Sequence, residues 1–572
     1  MGGCYEPSQW EIPAAMLEGR AGQGRAMRAR KVHMFSETSV HGAQMVLLLL
    51  MMIVAVFAAL ARWLKISYPI MLVVAGLLIS FIPHIPRIPL NPNLVFLIFL
   101  PPLLYSSAWW TSWREFRANL LTITLMAIGL VAFTVWGIAE FADRFITLLD
   151  WKSGFILGAV VATTDAIAAT SIAHSLGLPR RIVDILEGES LLNDATGLLA
   201  LEFGLRLINQ GSTPSFGESV MRLLYLIAVG VGTGLVVGVI VAWLERFIDD
   251  GPIEIVLSLI VPYVSYLAAE SFHASGVLAV VASGLYLSRH SATFFSPAAR
   301  IQVNGVWDAL TFGLNGVVFV LIGLQLPYVL DGIRGFSRTT LLWYGAVFSA
   351  ILILLRLVWT FPAVKLAYMA RKRRGHDDKP PTARGVFVIG WTGMRGVIAL
   401  AAAISLPETL ANGQPFGARN LILFLTFSVI LVTLVLQGLT LPPLIRALGL
   451  SSPAGVDEEE RSARRAMLTA ALEYLEEEES TDDGTFAHAF EDLVHRYQHR
   501  LAAVGGSAKG AHGEEHTSEE YQQMKEVARG ALRVQRQVMI GLRDEGRLSD
   551  TALWKMEREL DLEETRYMTP LH

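Results

Sequence analysis

The sequence has a single cysteine and few charged residues. With only Cys4 present, an intramolecular disulfide framework and a zinc cluster built on cysteines are both excluded. Aspartate, glutamate, lysine and arginine make up 17% of the 572 residues, whereas a soluble protein contains about a quarter of them. Hydrophobic residues make up 53%. These proportions indicate an integral membrane protein that carries some soluble mass.

Signatures of soluble enzymes and of nucleic-acid binding are also missing. The chain contains no HExxH, GxxxxGKS/T or GxSxG string, so the commonest metalloprotease, NTPase and esterase motifs are absent. The formal net charge of −4 argues against a nucleic-acid partner. We therefore expect neither an enzyme nor a cofactor.

Long apolar runs fill residues 44–450 and predict an all-α polytopic membrane protein. A helix needs about twenty apolar residues to cross the hydrocarbon, and this rule predicts about thirteen spans in the lipid bilayer. They cover approximately residues 44–64, 69–83, 91–107, 119–140, 151–174, 183–208, 219–246, 253–271, 274–288, 303–326, 340–368, 385–406 and 418–446.

Segments of different composition flank this membrane domain. Residues 1–43 are polar and rich in glycine, and we expect the native chain to begin at a later methionine, Met27, Met34 or Met45. Residues 451–572 are rich in Glu, Arg, Ala and Leu. They predict a cytosolic helical tail, either regulatory or merely solubilising.

Basic loops predict the orientation, because cytoplasmic loops carry an excess of Lys and Arg. The connections after spans 1, 3, 5, 9 and 11 are the more basic ones, above all residues 371–379. This places the amino end outside and the carboxyl end in the cytoplasm. The basic residues within 20–31 argue the other way, and a later start would remove most of that conflict.

Polar residues interrupt the fifth and sixth spans. Thr164 and Asp165 lie in the fifth, while Ser190, Asn193 and Asp194 lie on one helix face of the sixth. Ionised carboxylates at that depth are costly and usually face an ion, a partner or a water-filled cavity. A single Ser, Thr or Asn in a membrane helix is more often an interhelical hydrogen-bonding group. The two aspartates nevertheless predict a hard-cation site near mid-membrane.

The twelfth span contains Gly390-Trp-Thr-Gly-Met-Arg-Gly396, which predicts a locally unwound helix. Arg395 in this stretch can cap exposed carbonyls or neutralise a buried acid. The interruption at Asp165 is its counterpart in the fifth span. Polar interruptions in corresponding positions of two halves indicate inverted repeats, with the site where two broken helices cross.

Arg356 in the eleventh span is a further intramembrane charge, and its partner cannot be read from the sequence.

The motifs together resemble those of the monovalent cation/proton antiporters, most closely the electroneutral branch of bacterial NhaP-type proteins and animal sodium/proton exchangers. The motifs are Gly188-Glu-Ser-Leu-Leu-Asn-Asp194, Thr163-Thr-Asp165, Phe99-Leu-Pro-Pro-Leu103 and Gly393-Met-Arg-Gly396. The resemblance covers about residues 44–448. It implies a homodimer in which a core domain, here spans 4–6 and 11–13, moves against a dimerisation domain.

The resemblance also implies roles for individual residues. Asp194 would bind the cation and the proton in turn, and Glu189 and Arg395 would form a structural ion pair. The remaining members of the cation and proton site would be Asp165, Thr164, Ser190 and Asn193. Na⁺ would be held by Asp194, Asp165 and Ser190. Ser106 and Ser107 stand where many relatives carry an acidic residue, which puts a ligand from the third span in doubt.

The function implied by the resemblance is electroneutral exchange of Na⁺ for H⁺ across the plasma membrane, the bacterial inner membrane, for pH and sodium homeostasis. Na⁺ and H⁺ are then transported substrates, and Li⁺ and K⁺ are further candidates. K⁺/H⁺ exchange stays open, because ligand type alone does not separate the two cations. Remoter alternatives are a cation channel and an intramembrane aspartyl protease with Asp165 and Asp194 as its dyad, although the Tyr-Asp and Gly-x-Gly-Asp motifs of such proteases are absent.

Overall fold

The computed structural model is helical almost throughout the residues it describes. These are residues 44–82, 95–146, 148–210, 216–248, 250–295, 297–333, 335–375, 380–411, 413–450, 454–481, 487–504, 518–545, 556 and 559–564. Within these ranges the only β-type pairing is an isolated antiparallel bridge between Thr409 and Pro415. The segment 1–43, and with it the expected later start, lies outside the described residues.

The chain divides into two compact units, with the boundary at residues 451–452. The first unit contains α1 Gln44–Leu64, α2 Tyr68–Ile79, α3 Val95–Trp110, α4 Trp113–Phe145, α5 Trp151–Ala162, α6 Ala166–Ser175, α7 Arg180–Gln210, α8 Phe216–Glu245, α9 Gly251–Ser271, α10 Gly276–Phe294, α11 Pro297–Leu324, α12 Leu326–Asp331, α13 Arg338–Arg373, α14 Ala383–Trp391, α15 Val397–Ile404 and α16 Arg419–Ala447. The second unit contains α17 Ala454–Thr481, α18 Ala487–Ala503 and α19 Ser518–Asp544.

Eight helical segments of the described chain are long and apolar enough to cross a membrane. They are α1, α4, the run from α5 into α6, α8, α9, α11, α13 and α16. Helices α2 and α3 are shorter but apolar. The predicted class, an all-α polytopic membrane protein, is confirmed. The count of about thirteen spans stays a prediction, because the sixth, ninth and twelfth predicted spans fall outside these groups.

Two helices are broken where the sequence predicts interruptions. Helix α5 ends at Ala162, and after three extended residues α6 begins at Ala166; similarly, α14 ends at Trp391 and α15 begins at Val397. The two breaks touch, since the backbone N–H of Asp165 donates to the carbonyl of Met394 at 2.8 Å. The predicted pair of crossed broken helices is therefore confirmed.

Packing places α7 between two apolar cores. The larger core is built mainly from α4 to α7, α11 and α13 to α16, and includes Leu157, Phe348 and Ile422. The smaller core is built mainly from α3 and α8 to α11, and includes Val261 and Val280. Helix α7 contributes to both cores. Displacement of one core against the other would therefore act directly on α7.

Helices α2 and α11 approach so closely that only glycine fits at their contact. A β-carbon added at Gly323 would lie 2.7 Å from the backbone carbonyl carbon of Gly76, which is shorter than any ordinary contact. Small residues at such crossings let two membrane helices pack backbone against backbone. On the same helix, a β-carbon at Gly313 would meet nothing within 4 Å.

We expect Gly323→Ala to lower the free energy of unfolding by roughly 1–3 kcal/mol, because two backbones must separate to admit the methyl group. Gly313→Ala is the matched control on the same helix and should leave stability nearly unchanged. Thermal unfolding of the purified proteins in detergent measures both. Equal shifts for the two variants would show that the contact at Gly323 is not close-packed.

Candidate functional site

A cavity of about 290 Å³ lies beside the crossing of the broken helices. One wall is formed by the unwound residues Thr163, Thr164 and Asp165 together with Gly396. Helix α7 adds its polar face, and the opposite wall comes from α3 and α11. The polar α7 side chains on this wall are Glu187, Ser190 and Asp194.

Asp194 is the most deeply buried carboxylate on the cavity wall, with 2% of its surface exposed. Its Oδ1 atom is buried and has no hydrogen-bond partner among the described residues. An ionised carboxylate in this buried position has no counter-charge among the described residues, so a bound proton or cation would stabilise it. The geometry thus leaves an open coordination position on Asp194.

The side chain of Asp165 contacts the backbone at the crossing of the two broken helices. Its Oδ1 accepts the N–H of Ile167 at 2.9 Å and so caps the first turn of α6. Its other oxygen, Oδ2, lies so close to Gly396 that a β-carbon there would collide with it. The absence of a side chain at position 396 is therefore what allows the carboxylate of Asp165 to sit against the second broken helix.

Side chains of α7 hold the first broken helix in place. The hydroxyl of Ser190 donates to the carbonyl of Thr164 at 2.7 Å. The side-chain amide of Asn193 donates to the hydroxyl oxygen of Thr164. That hydroxyl in turn lies 3.4 Å from Glu189 Oε1.

The structure therefore brings four of the five predicted cation-site residues to the cavity, namely Thr164, Asp165, Ser190 and Asp194. Asn193 is the exception, because it is 1% exposed and is not part of the cavity wall. Its side-chain nitrogen contacts Thr164, while its Oδ1 is buried without a hydrogen-bond partner among the described residues. A place for Asn193 in the cation site stays a prediction.

The buried ion pair differs from the predicted one. The guanidinium of Arg356 contacts both carboxylate oxygens of Glu189, with Nη2 to Oε2 at 2.8 Å. Both side chains are 1% exposed. Nη2 of Arg356 also donates to the carbonyl of Ile389 at 3.2 Å. The pair thus connects α7, α13 and the end of α14.

The predicted direct ion pair between Glu189 and Arg395 is wrong. Within the described residues Arg395 forms no salt bridge; its Nε donates to the carbonyl of Val161 at 2.9 Å and its Nη1 to that of Gly393. Arg395 therefore caps carbonyls that both helix breaks leave open, which is the first of the two roles the sequence suggested. A buried carboxylate such as that of Glu189 is best paired with a guanidinium group, which can contact both of its oxygens at once, and Arg356 makes these two contacts.

The sequence identified one member of this ion pair but not its partner. Arg356 stands out as an intramembrane charge, but its partner lies 167 residues earlier in the chain. Helical spacing relates residues one or two turns apart, so it has no bearing on a contact across the bundle. The wall from α3 includes Ser106 and Ser107, the positions that the resemblance had marked in the third span. Thr311 and Asn315 of α11 line the same cavity, and no motif had connected them with it.

A membrane bundle with two broken helices that cross beside buried aspartates has the architecture of a monovalent cation/proton antiporter. The family model described as "Sodium/hydrogen exchanger, transmembrane" matches residues 48–447, and the chain belongs to this family. The resemblance seen in the motifs is confirmed. Membership in a family of antiporters argues against both the channel and the protease alternatives.

Relatives and a solved structure agree with this assignment. The chain is 31% identical over 530 residues to an uncharacterized Na⁺/H⁺ exchanger of Mycobacterium bovis, covering 92% of this chain and 96% of that protein. It is 31% identical over 449 residues to the sodium, potassium, lithium and rubidium/H⁺ antiporter of Bacillus pumilus, covering 77% and 66%. The sodium proton antiporter MjNhaP1 of Methanocaldococcus jannaschii has a similar fold, with a TM-score of 0.53 at 19% identity over 71% of this chain and 98% of that one.

We expect Arg356→Met and Glu189→Gln each to lower the free energy of unfolding by about 3–5 kcal/mol, because each leaves one side chain of a buried pair without its counter-charge. The double variant should be less destabilised than the sum of the two, as measured by thermal unfolding of the purified proteins. Combining Glu189→Gln with Arg395→Met is the matched comparison. Strict additivity for Glu189 with Arg356, or stronger coupling to Arg395, would contradict the observed pairing.

Proposed function

We propose that this antiporter exchanges Na⁺ for H⁺ by letting the two ions compete for Asp194. The observation that carries the proposal is the buried Oδ1 of Asp194, which faces no partner in the described chain while the residue lines the cavity beside the crossing. Oxygen atoms are the ligands that hard cations prefer, and Ser190 and Asp165 supply them nearby. A proton on Asp194 removes the charge that a cation needs.

Exclusive occupancy couples the two fluxes. Moving an uncompensated charge through hydrocarbon is costly, so the core domain crosses when Asp194 carries either ion and stays in place when it is bare. The gradient of one ion then drives the other. The cycle requires no cofactor and no chemical transformation of a substrate, and Na⁺ and H⁺ are cargo.

K⁺ is a second candidate cation for the same site. It is favoured by one observation, that the Bacillus pumilus relative is named as an antiporter of sodium, potassium, lithium and rubidium. Na⁺ and K⁺ titrations of proton flux in proteoliposomes separate the candidates. Half-maximal flux at a lower concentration of K⁺ than of Na⁺ would establish the second.

The setting of the transporter completes the proposal. We infer a plasma-membrane protein, in a bacterium the inner membrane, with its amino end outside and its carboxyl end in the cytoplasm, supported by the basic loops. We further infer a homodimer that serves pH and sodium homeostasis, supported by the family resemblance. The helical unit that begins at α17 would then lie in the cytoplasm, where its abundant charged residues are solvated.

Asp194→Asn is expected to abolish Na⁺-driven proton movement in proteoliposomes, because asparagine neither binds a proton near neutral pH nor supplies a negative charge. The matched control is Glu202→Gln, which removes a carboxylate from the same helix at a surface pair with Arg206. Surface pairs contribute little to stability, so this variant should transport normally. Substantial exchange by a well-folded Asp194→Asn protein would refute the assignment.

Exchange is expected to be electroneutral, one cation for one proton. Asn193 cannot titrate, so if Asp165 stays ionised the site has the same total charge with Na⁺ or H⁺ bound, and the two crossings cancel. The measurement clamps the voltage of proteoliposomes with potassium and valinomycin and finds the proton gradient that balances a fixed sodium gradient.

A balance point that shifts with voltage would mean that a second proton moves. Glu187, which also lines the cavity, is then the residue to examine beside Asp165. Repeating the measurement with Glu187→Gln decides between them, because loss of the voltage dependence would assign the second proton to Glu187.

A further inference from the structure

We call the cavity of about 290 Å³ at the crossing of the broken helices the ion cavity, after its proposed function. A second cavity, of about 590 Å³, lies on the far side of α7 from it. Helix α7 faces it with Leu192, Ala195 and Leu199, whereas Ser190 and Asp194 on the same helix face the ion cavity. Its other walls come from α4, α8 and α10, and most of the side chains are apolar. The exceptions are Thr124, Thr196, Ser275, Tyr286, Arg289 and His290. We call this second cavity the apolar groove.

The apolar groove is long enough for a lipid chain. Its α4 wall runs from Trp113 to Ile128, a distance of roughly 22 Å along a helix. One leaflet of the hydrocarbon core is about 15 Å deep, half of the full thickness. The groove is therefore longer than one leaflet is deep.

Three arginines surround one end of the apolar groove. Arg114, Arg117 and Arg289 line an adjoining cavity of about 540 Å³, together with the hydroxyl-bearing Thr111, Ser112 and Ser288. The two cavities share Arg289 and the neighbouring side chains of Trp113 and Leu285. We call the three guanidinium groups with their hydroxyl neighbours the arginine cluster.

The arginine cluster has no anion of its own. No acidic side chain lines its cavity, and among the described residues none of the three arginines forms a salt bridge or a side-chain hydrogen bond. Guanidinium groups match phosphate oxygens in geometry as well as in charge. Three such groups therefore favour a phosphate-bearing occupant. The hydroxyls of Thr111 and Ser288 already donate to backbone carbonyls and that of Ser112 accepts the N–H of Glu115, so the arginines are the groups that would hold the phosphate.

We propose that the apolar groove and the arginine cluster together bind one anionic phospholipid, with its phosphate among Arg114, Arg117 and Arg289 and an acyl chain along α7. Charge complementarity selects the anionic headgroup, and the continuous apolar wall selects the chain. The arginine cluster lies in the connection between spans 3 and 4 and at the end of span 9, on the side that the basic loops predict to be cytoplasmic. Anionic lipids attract basic groups at that surface.

The proposed lipid would affect transport, because its chain lies between helices that move relative to each other. Helices α4 and α7 contribute to both cores and belong to the core domain that the family resemblance implies, while α8 and α10 contribute only to the smaller of the two cores. A chain lodged between them must shift or leave when the two parts move against each other. This consequence rests on the proposed function, but binding of the lipid does not.

Native mass spectrometry of the purified full chain in detergent tests the proposal. The probes are phosphatidylglycerol and phosphatidylcholine with identical acyl chains, titrated separately. The test variant is Arg114→Gln, Arg117→Gln and Arg289→Gln combined. The control combines Arg62→Gln, Arg246→Gln and Arg373→Gln, which removes the same charge from exposed positions that line neither cavity. Ala282→Phe fills the groove from α10 without altering charge.

The wild type should bind phosphatidylglycerol more tightly than phosphatidylcholine, and the test variant should lose this preference with an affinity lower by about tenfold or more. The control variant should keep this preference, and Ala282→Phe should weaken binding of both lipids.

Thermal unfolding of each variant checks the fold. If the triple variant unfolds, the three single variants replace it. A preference that survives in the test variant would overturn the headgroup assignment. Unchanged binding in Ala282→Phe, with millimolar inorganic phosphate displacing the lipid, would reduce the site to a phosphate site and overturn the lipid.

Discussion

The hydrogen bond from the Asp165 N–H to the Met394 carbonyl is the contact on which the rest of the site depends. No water in the hydrocarbon can satisfy the backbone groups that an interrupted helix leaves open. The two breaks satisfy each other directly, and Arg395 takes further carbonyls, including that of Val161. The side chain of Asp165 caps Ile167 in the same way. The residues that line the cavity are thus also those that make unwound backbone tolerable at this depth, so the cavity and the fold cannot be altered separately.

The buried Glu189 and Arg356 pair extends this dependence beyond the crossing. Such a pair seldom adds net stability over apolar side chains of the same volume, but removal of one partner is severe. Its location suggests a different use, because it joins α7 to α13 and, through the Ile389 carbonyl, to α14. The helix that carries Asp194 is thereby tied to the second broken helix on the side away from the cavity.

The sequence predicted the elements of the site better than their partners. Glycines at 390–396 and the polar residues Thr163-Thr164-Asp165 predicted the two broken helices, because the pattern that breaks a helix is local. Two pairs of cavity residues could be recognised from the sequence. Thr164 and Asp165 are adjacent, and Ser190 and Asp194 share a helix face. The contact of Glu189 with Arg356 could not be predicted, because the sequence does not show which of the two buried arginines of the described membrane unit, Arg356 or Arg395, packs against Glu189. Asn193 was placed with the ligands, since helical spacing does not distinguish the edge of a polar face from its centre.

Helix α7 unites these features, because three of its faces have three different neighbours. Glu189 contacts Arg356, Asp194 faces the ion cavity, and Ala195 faces the apolar groove. Rotation of α7 about its own axis would break the bidentate ion pair and leave two charges buried without partners, at a cost of several kcal/mol. Displacement of α7 together with α13 and α14 keeps that pair intact. The packing therefore favours rigid-body movement of the core over any local rotation of the helix that carries Asp194.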